Sequence, residues 1–132
     1  MKAFLVDLEN KPGEFARIAE AIGSKGVNIT AVSGTTCGAR GRVALLTSDE
    51  AQTRTALGTA KCKFEEIDTV EASLANEPGT LGKAARRLAD AGVNIEAIVP
   101  TGMSGNNVSV AFVTDNPTKA RGVLTSAASG AR

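Results

Sequence analysis

A chain of 132 residues is long enough for one ordinary domain or two small ones. Its 15 Lys and Arg nearly balance 14 Asp and Glu, and each half is balanced too: nine basic and eight acidic residues in 1–66, six of each in 67–132. This argues against the concentrated positive patch that nonspecific nucleic-acid binding needs, and the absence of His removes the side chain most used for acid–base chemistry and metal ligation.

The first predicted element is a strand in which Phe4, Val6 and Leu8 share one face. Asn10-Lys11-Pro12-Gly13 then reads as a turn, with Pro12 near the first turn of a helix, where its missing N–H costs little. The helix carries the stripe Phe15, Ile18, Ala19 and Ile22 at i, i+3, i+4, i+7, predicted to face the core. Gly26 sits where a left-handed C-terminal cap ends a helix. A second strand runs from Val27 to about Thr36, a turn follows at Gly38-Ala39-Arg40-Gly41, and a third strand covers Val43–Thr47. A second helix begins near Asp49 with Leu57 inward, and Lys61–Ile67 closes the segment as a fourth strand.

The same pattern then repeats. Asn76-Glu77-Pro78-Gly79 and Gly92-Val93-Asn94-Ile95 follow their counterparts at an offset of 66, and Val110–Thr114 follows Val43–Thr47 at 67. The apolar positions correspond as well: Leu81, Ala84, Ala85 and Leu88 stand for the first stripe, and Val123 and Leu124 for Leu57. The order βαββαβ, twice, is an α+β class of fold: two tandem ferredoxin-like units, 1–67 and 68–132, each an antiparallel sheet with helices on one face. Shifting the fourth strand by 67 reaches residue 128, where only five residues remain, so the second unit is expected to lack or share its last strand. No Gly or Pro interrupts 61–76, which predicts one long extended element crossing from one sheet to the next. An edge left open this way is one that a second subunit would cover.

This topology hosts many functions, so chemistry must choose among them. An RNA-recognition module needs aromatics on its central strands, and here one Phe serves both copies. Cys37 and Cys62 are too far apart for a metal-chaperone loop, and no phosphate-cradling Gly-Lys-Ser/Thr pattern occurs. No metal site and no cofactor are expected. No run approaches the roughly 18–20 apolar residues of a membrane span, and the early charges disfavour a signal peptide. Two cysteines suggest reduced thiols in a cytoplasmic protein; Cys37 is expected to be a buried filler and Cys62 part of the core.

Asn-x-Pro-Gly-x-Phe/Leu opening a helix, followed by Gly-Val-Asn-Ile opening a strand, resembles the ACT domain, and the resemblance covers Lys2 to about Ala127. The whole chain resembles small stand-alone bacterial tandem-ACT proteins. The resemblance implies a non-enzymatic regulatory protein: a homodimer that binds a small molecule, an amino acid, where two ACT domains meet, and modulates an enzyme or regulator of amino-acid metabolism. The alternative is a ligand-free dimerisation or assembly module. Carried over from the family, the ligand-binding residues are Asn10, Lys11, Pro12, Gly13, Asn28 and Ile29, with Asn76, Glu77, Pro78, Gly79, Asn94 and Ile95 in the second copy. The physical logic is that open helix N–H groups attract a carboxylate and Asn offers donor and acceptor together. Structural roles compete at the same positions: Asn10 and Asn76 as helix caps, Asn28 and Asn94 as ties to a neighbouring loop. Serine-binding ACT domains carry a His two positions before the loop Asn; here Leu8 and Leu74 stand there. Arg40 and Arg42 are either solvated turn charges or a grip for an anion.

Overall fold

A computed structural model describes residues 1–130, with side chains as far as Leu124. The elements are β1 (Lys2–Glu9), α1 (Glu14–Gly23), β2 (Ile29–Cys37), β3 (Arg40–Thr47), α2 (Glu50–Thr59), β4 (Phe64–Ala75), α3 (Thr80–Asp90), β5 (Ile95–Ser104), β6 (Asn107–Thr114) and α4 (Pro117–Gly130). Among the described residues the protein is thus α+β, with six strands and four helices. The chain divides into two compact units, Met1–Ile67 and Asp68–Arg132.

In the first unit the strand order is β2-β3-β1-β4. β1 pairs antiparallel with β3, Phe4 opposite Leu45 and Glu9 opposite Arg40, and β2 pairs antiparallel with β3 from Ile29–Thr47 to Cys37–Arg40. The backbone N–H of Asp7 reaches the carbonyl of Lys63 at 2.9 Å on the other side of β1. Alternation places Phe4, Val6, Leu8, Val43 and Leu45 on the helix side, where they form one core with Ile18, Ile22, Val27, Ala56 and Leu57. Asp49 begins α2 as its N-cap, its carboxylate accepting from the N–H of Gln52 at 3.0 Å.

In the second unit β6 lies between β4 and β5. Both pairings are antiparallel, with irregular register on β5 at Ile95/Ala97 and Pro100/Gly102. The core repeats the first in kind: Val70, Ala72, Leu74, Ala84, Leu88, Val93, Val110, Phe112, Ala120 and Leu124. No strand follows β6 among the described residues; α4 runs to Gly130. β4 is one uninterrupted strand in which the first unit ends and the second begins.

Several sequence expectations need correction. Phe15 and Leu81 are 41% and 48% exposed, so neither closes its core. The helices begin only at Glu14 and Thr80, so these two residues lie in the first turn, over the end of the sheet, and Ile18 with Ile22, or Ala84 with Leu88, carry the burial. Pro12 lies two residues before Glu14, close to the first turn of α1 as expected. β2 begins at Ile29 rather than Val27, because Val27 is drawn into the core below the helix cap. The hairpin turn is only Gly38-Ala39, so Arg40 and Gly41 belong to β3. The fourth strand starts at Phe64, since Lys61 takes a left-handed conformation (φ 59) to end α2. Cys37 is exposed at the hairpin end; Cys62 is partly buried against the first core.

Candidate functional site

The two Asn-x-Pro-Gly loops join β1 to α1 and β4 to α3. In each, the residue preceding the helix is the Gly, in left-handed conformation (φ 88 at Gly13, 89 at Gly79), with no side-chain cap. A Cβ at either Gly would meet nothing within 4 Å, so backbone conformation is what requires glycine there, and the space above stays open. The capping role for Asn10 and Asn76 is therefore wrong. Asn10 is tied to the β2–β3 hairpin: its N–H donates to the Ala39 carbonyl and its side-chain amide to the Gly38 carbonyl, both at 2.9 Å. The N–H of Asn76 donates to the Asn106 carbonyl at 2.8 Å, placing that loop beside the β5–β6 turn.

The second motif lies elsewhere. Asn28 exchanges backbone bonds with Ser48, its N–H reaching the Ser48 hydroxyl and its carbonyl accepting the Ser48 N–H, each at 2.9 Å. Asn94 does the same with Asp115, at 2.9 and 3.1 Å, and its amide donates to Glu96 at 2.8 Å. These are the loop ties that compete with ligand contact at the same positions. Ile29 and Ile95, the first residues of β2 and β5, are half-buried against the two cores.

Within one unit the two motifs stand at opposite ends of the sheet. Asn10 follows the Glu9–Arg40 pair and Asn28 precedes the Ile29–Thr47 pair, so the length of β3 separates them, roughly 20 Å at about 3.3 Å per residue. Asn76 and Asn94 are separated likewise by β6. A single unit does not bring its own pair together around one small molecule.

The loops also differ in charge. Lys11 pairs with Glu9 at 3.0 Å, and that bond holds its ammonium above the ordinary range. Glu14 meets Arg17 at 3.4 Å, which lowers its carboxyl, and Arg17 also donates to the Ala60 carbonyl at 2.8 Å. Glu77 replaces Lys11 in the second loop. Around it lies a hollow of about 190 Å³ lined by Leu74, Ala75, Asn76, Glu77, Thr80, Leu81, Val108 and Val110. Of these, the sequence motif singles out Asn76, Glu77 and Leu81, and the serine-site comparison Leu74. Thr80 and Val108 carry no such signal, although the 67-residue offset already sets Val108 against Gly41.

A second hollow, of about 370 Å³, lies at the hairpin end of the first unit beside Asp7, Thr35, Cys37, Arg40 and Arg42. Arg42 is ion-paired with Asp7 at 3.1 Å and with Glu65, so it is no solvated turn charge and its positive charge is already matched. Among the described residues no group of His, Cys, Asp and Glu could hold a metal ion, and no helix is long and apolar enough to cross a membrane.

No protein-family model matches the chain, and no curated protein is significantly similar to it. Among solved structures, protein BT0572 from Bacteroides thetaiotaomicron is 26% identical with a TM-score of 0.78, over 95% of this chain and 86% of that one. The ligand-free regulatory subunit of aspartate kinase from Thermus thermophilus is 22% identical with a TM-score of 0.64, over 96% and 90%. A structure of aspartokinase alpha and beta subunits gives 23% and 0.66, over 96% and 91%. The fold is like that of aspartate kinase regulatory subunits. That likeness runs nearly end to end in both chains, and it is one of fold.

Proposed function

We propose that this chain is a regulatory protein of two ACT domains, 1–67 and 68–132, that binds an amino acid where two such domains meet and modulates a partner in amino-acid metabolism. The observation that carries this reading is the near end-to-end likeness in fold to regulatory subunits of aspartate kinase. Two Asn-x-Pro-Gly loops add to it, each holding a left-handed Gly before an uncapped helix with open space above. Such a helix start offers N–H donors to a carboxylate.

The opposite-end placement of the two motifs in each unit favours a site completed by a second domain, in a homodimer. Ligand then shifts the arrangement of domains by its differential affinity, and the partner reads that shift. One observation favours the assembly-only alternative: Leu8 and Leu74, buried in their cores, stand where serine-binding ACT domains carry His.

Alanine at Asn10 and at Asn76 separates the two readings. The sensor reading expects an amino acid to raise the melting temperature of the native chain, and at least one substitution to abolish that rise while leaving the unliganded circular dichroism unchanged. An undiminished rise in both variants would remove the loops from the site.

A further inference from the structure

The two Asn-x-Pro-Gly loops share a motif but not a chemistry. In the first unit the loop's polar side chains engage one another or the hairpin: Asn10 with the Gly38 carbonyl, Lys11 with Glu9, Glu14 with Arg17. In the second, Ala75, Glu77, Thr80 and Lys83 replace Glu9, Lys11, Glu14 and Arg17, and each of those ion pairs disappears. Among the described residues, the side chains of Asn76, Glu77 and Thr80 make no hydrogen bond or ion pair. They stand around the 190 Å³ hollow, whose remaining wall is apolar: Leu74, Leu81, Val108 and Val110.

The strand pairing beside the hollow differs between the units. Leu74 pairs with Val108 as Leu8 pairs with Gly41. At Gly41 the apolar wall is missing, and the Leu8 Cδ1 lies 2.8 Å from where a Cβ would stand. In the first unit Leu8 leans over the bare Gly41 backbone, whereas in the second Val108 brings its own side chain to that position and walls the hollow.

We infer that the second loop is the one that takes ligand, and that the ligand is an α-amino acid with a branched aliphatic side chain. This rests on the sensor reading above. The aliphatic group fills the hollow, the ammonium faces Glu77, and the Asn76 amide is free for the carboxylate. The hollow, of about 190 Å³, is of a size for a small aliphatic side chain. An apolar wall gives a hydroxyl or an ammonium on the ligand side chain nothing to bond, so such ligands lose their hydration without return. An acidic side chain is further opposed by Glu77.

The test is an amide-detected NMR titration of the full chain with L-isoleucine, L-leucine, L-valine and L-alanine, and with L-serine, L-lysine and L-aspartate. Expected are saturable shifts centred on Asn76, Leu81 and Val108, with at least one branched ligand about tenfold or more tighter than alanine. Glu77→Gln, an exposed change, weakens that binding about tenfold, whereas Lys11→Gln leaves it unaltered; Val108→Gly, which copies Gly41, weakens it also. A polar or charged amino acid binding most tightly, or shifts centred on Asn10 and Phe15, would overturn the inference and leave the sensor reading standing. Binding of no amino acid would remove both.

Discussion

Three helices in this chain end alike, and one does so with the wrong residue. Gly26 and Gly92 turn left-handed after α1 and α3 (φ 75 and 77), and Lys61 does the same after α2 (φ 59). The bonds confirm the motif at Lys61: Cys62 N–H to the Leu57 carbonyl and Lys61 N–H to the Gly58 carbonyl, both at 3.0 Å, as Val93 N–H reaches Leu88 after α3. A Cβ in that conformation costs about 1–2 kcal/mol, and Gly's extra freedom in the unfolded chain returns part of it. Lys61→Gly should therefore raise stability by about 0.5–1 kcal/mol in urea unfolding, while Gly92→Ala lowers it by about 1 kcal/mol. Sequence identified the two glycines as caps because glycine announces the conformation. Lysine announces nothing, so the start of β4 was misplaced by three residues. The loop asparagines failed for a related reason: Asn at a helix start is a good cap in general, but the left-handed Gly13 and Gly79 occupy the capping position.

Elements here are joined by contacts that can be tested one at a time. Arg54 on α2 grips Glu66 on β4 with two bonds of 2.6 Å, and this holds the Glu66 carboxyl below the usual range. A carboxyl lowered in the folded state stabilises it above the ordinary carboxylate pKa and ceases to do so as the pH falls through the lowered value. Glu66→Gln should thus lower the urea midpoint at pH 7, and the difference from the native chain should vanish in acid below the carboxylate range. On the sheet, a Cβ at Gly34 would lie 2.6 Å from Val43 Cγ1. Gly34→Ala forces β2 or the Val43 rotamer to shift, and thermal or urea unfolding should register a loss of about 1–3 kcal/mol. The order of strands and helices along the chain and most of the buried positions on them were legible because alternation and the 3.6 period report burial directly. The start of α2 near Asp49 was legible from its capping residue, but the period did not report that Phe15 and Leu81 are only the second residues of α1 and α3 and stay exposed.

At the scale of the whole chain, the duplication was the most legible feature. Two motifs at a common offset of 66, then a third at 67, account for two helices, a hairpin and a core in each unit. The uninterrupted run from 61 to 76 likewise read as extended, and most of it is β4. Sequence could not show that each unit holds its two motifs at opposite ends of its sheet, since motif spacing along a chain carries no direction in space. Nor could it show that one loop satisfies its own polar groups while the other leaves them free. The extra residue before β6 and the change from Gly41 to Val108 only acquire meaning once the register is known.

The central claim is that this fold serves to bind an amino acid. Isothermal titration of the native chain with each common amino acid, at up to millimolar concentration, tests it most directly. Saturable heat with at least one amino acid, and none with most of the others, is the expected result. No saturable heat with any of them would contradict it.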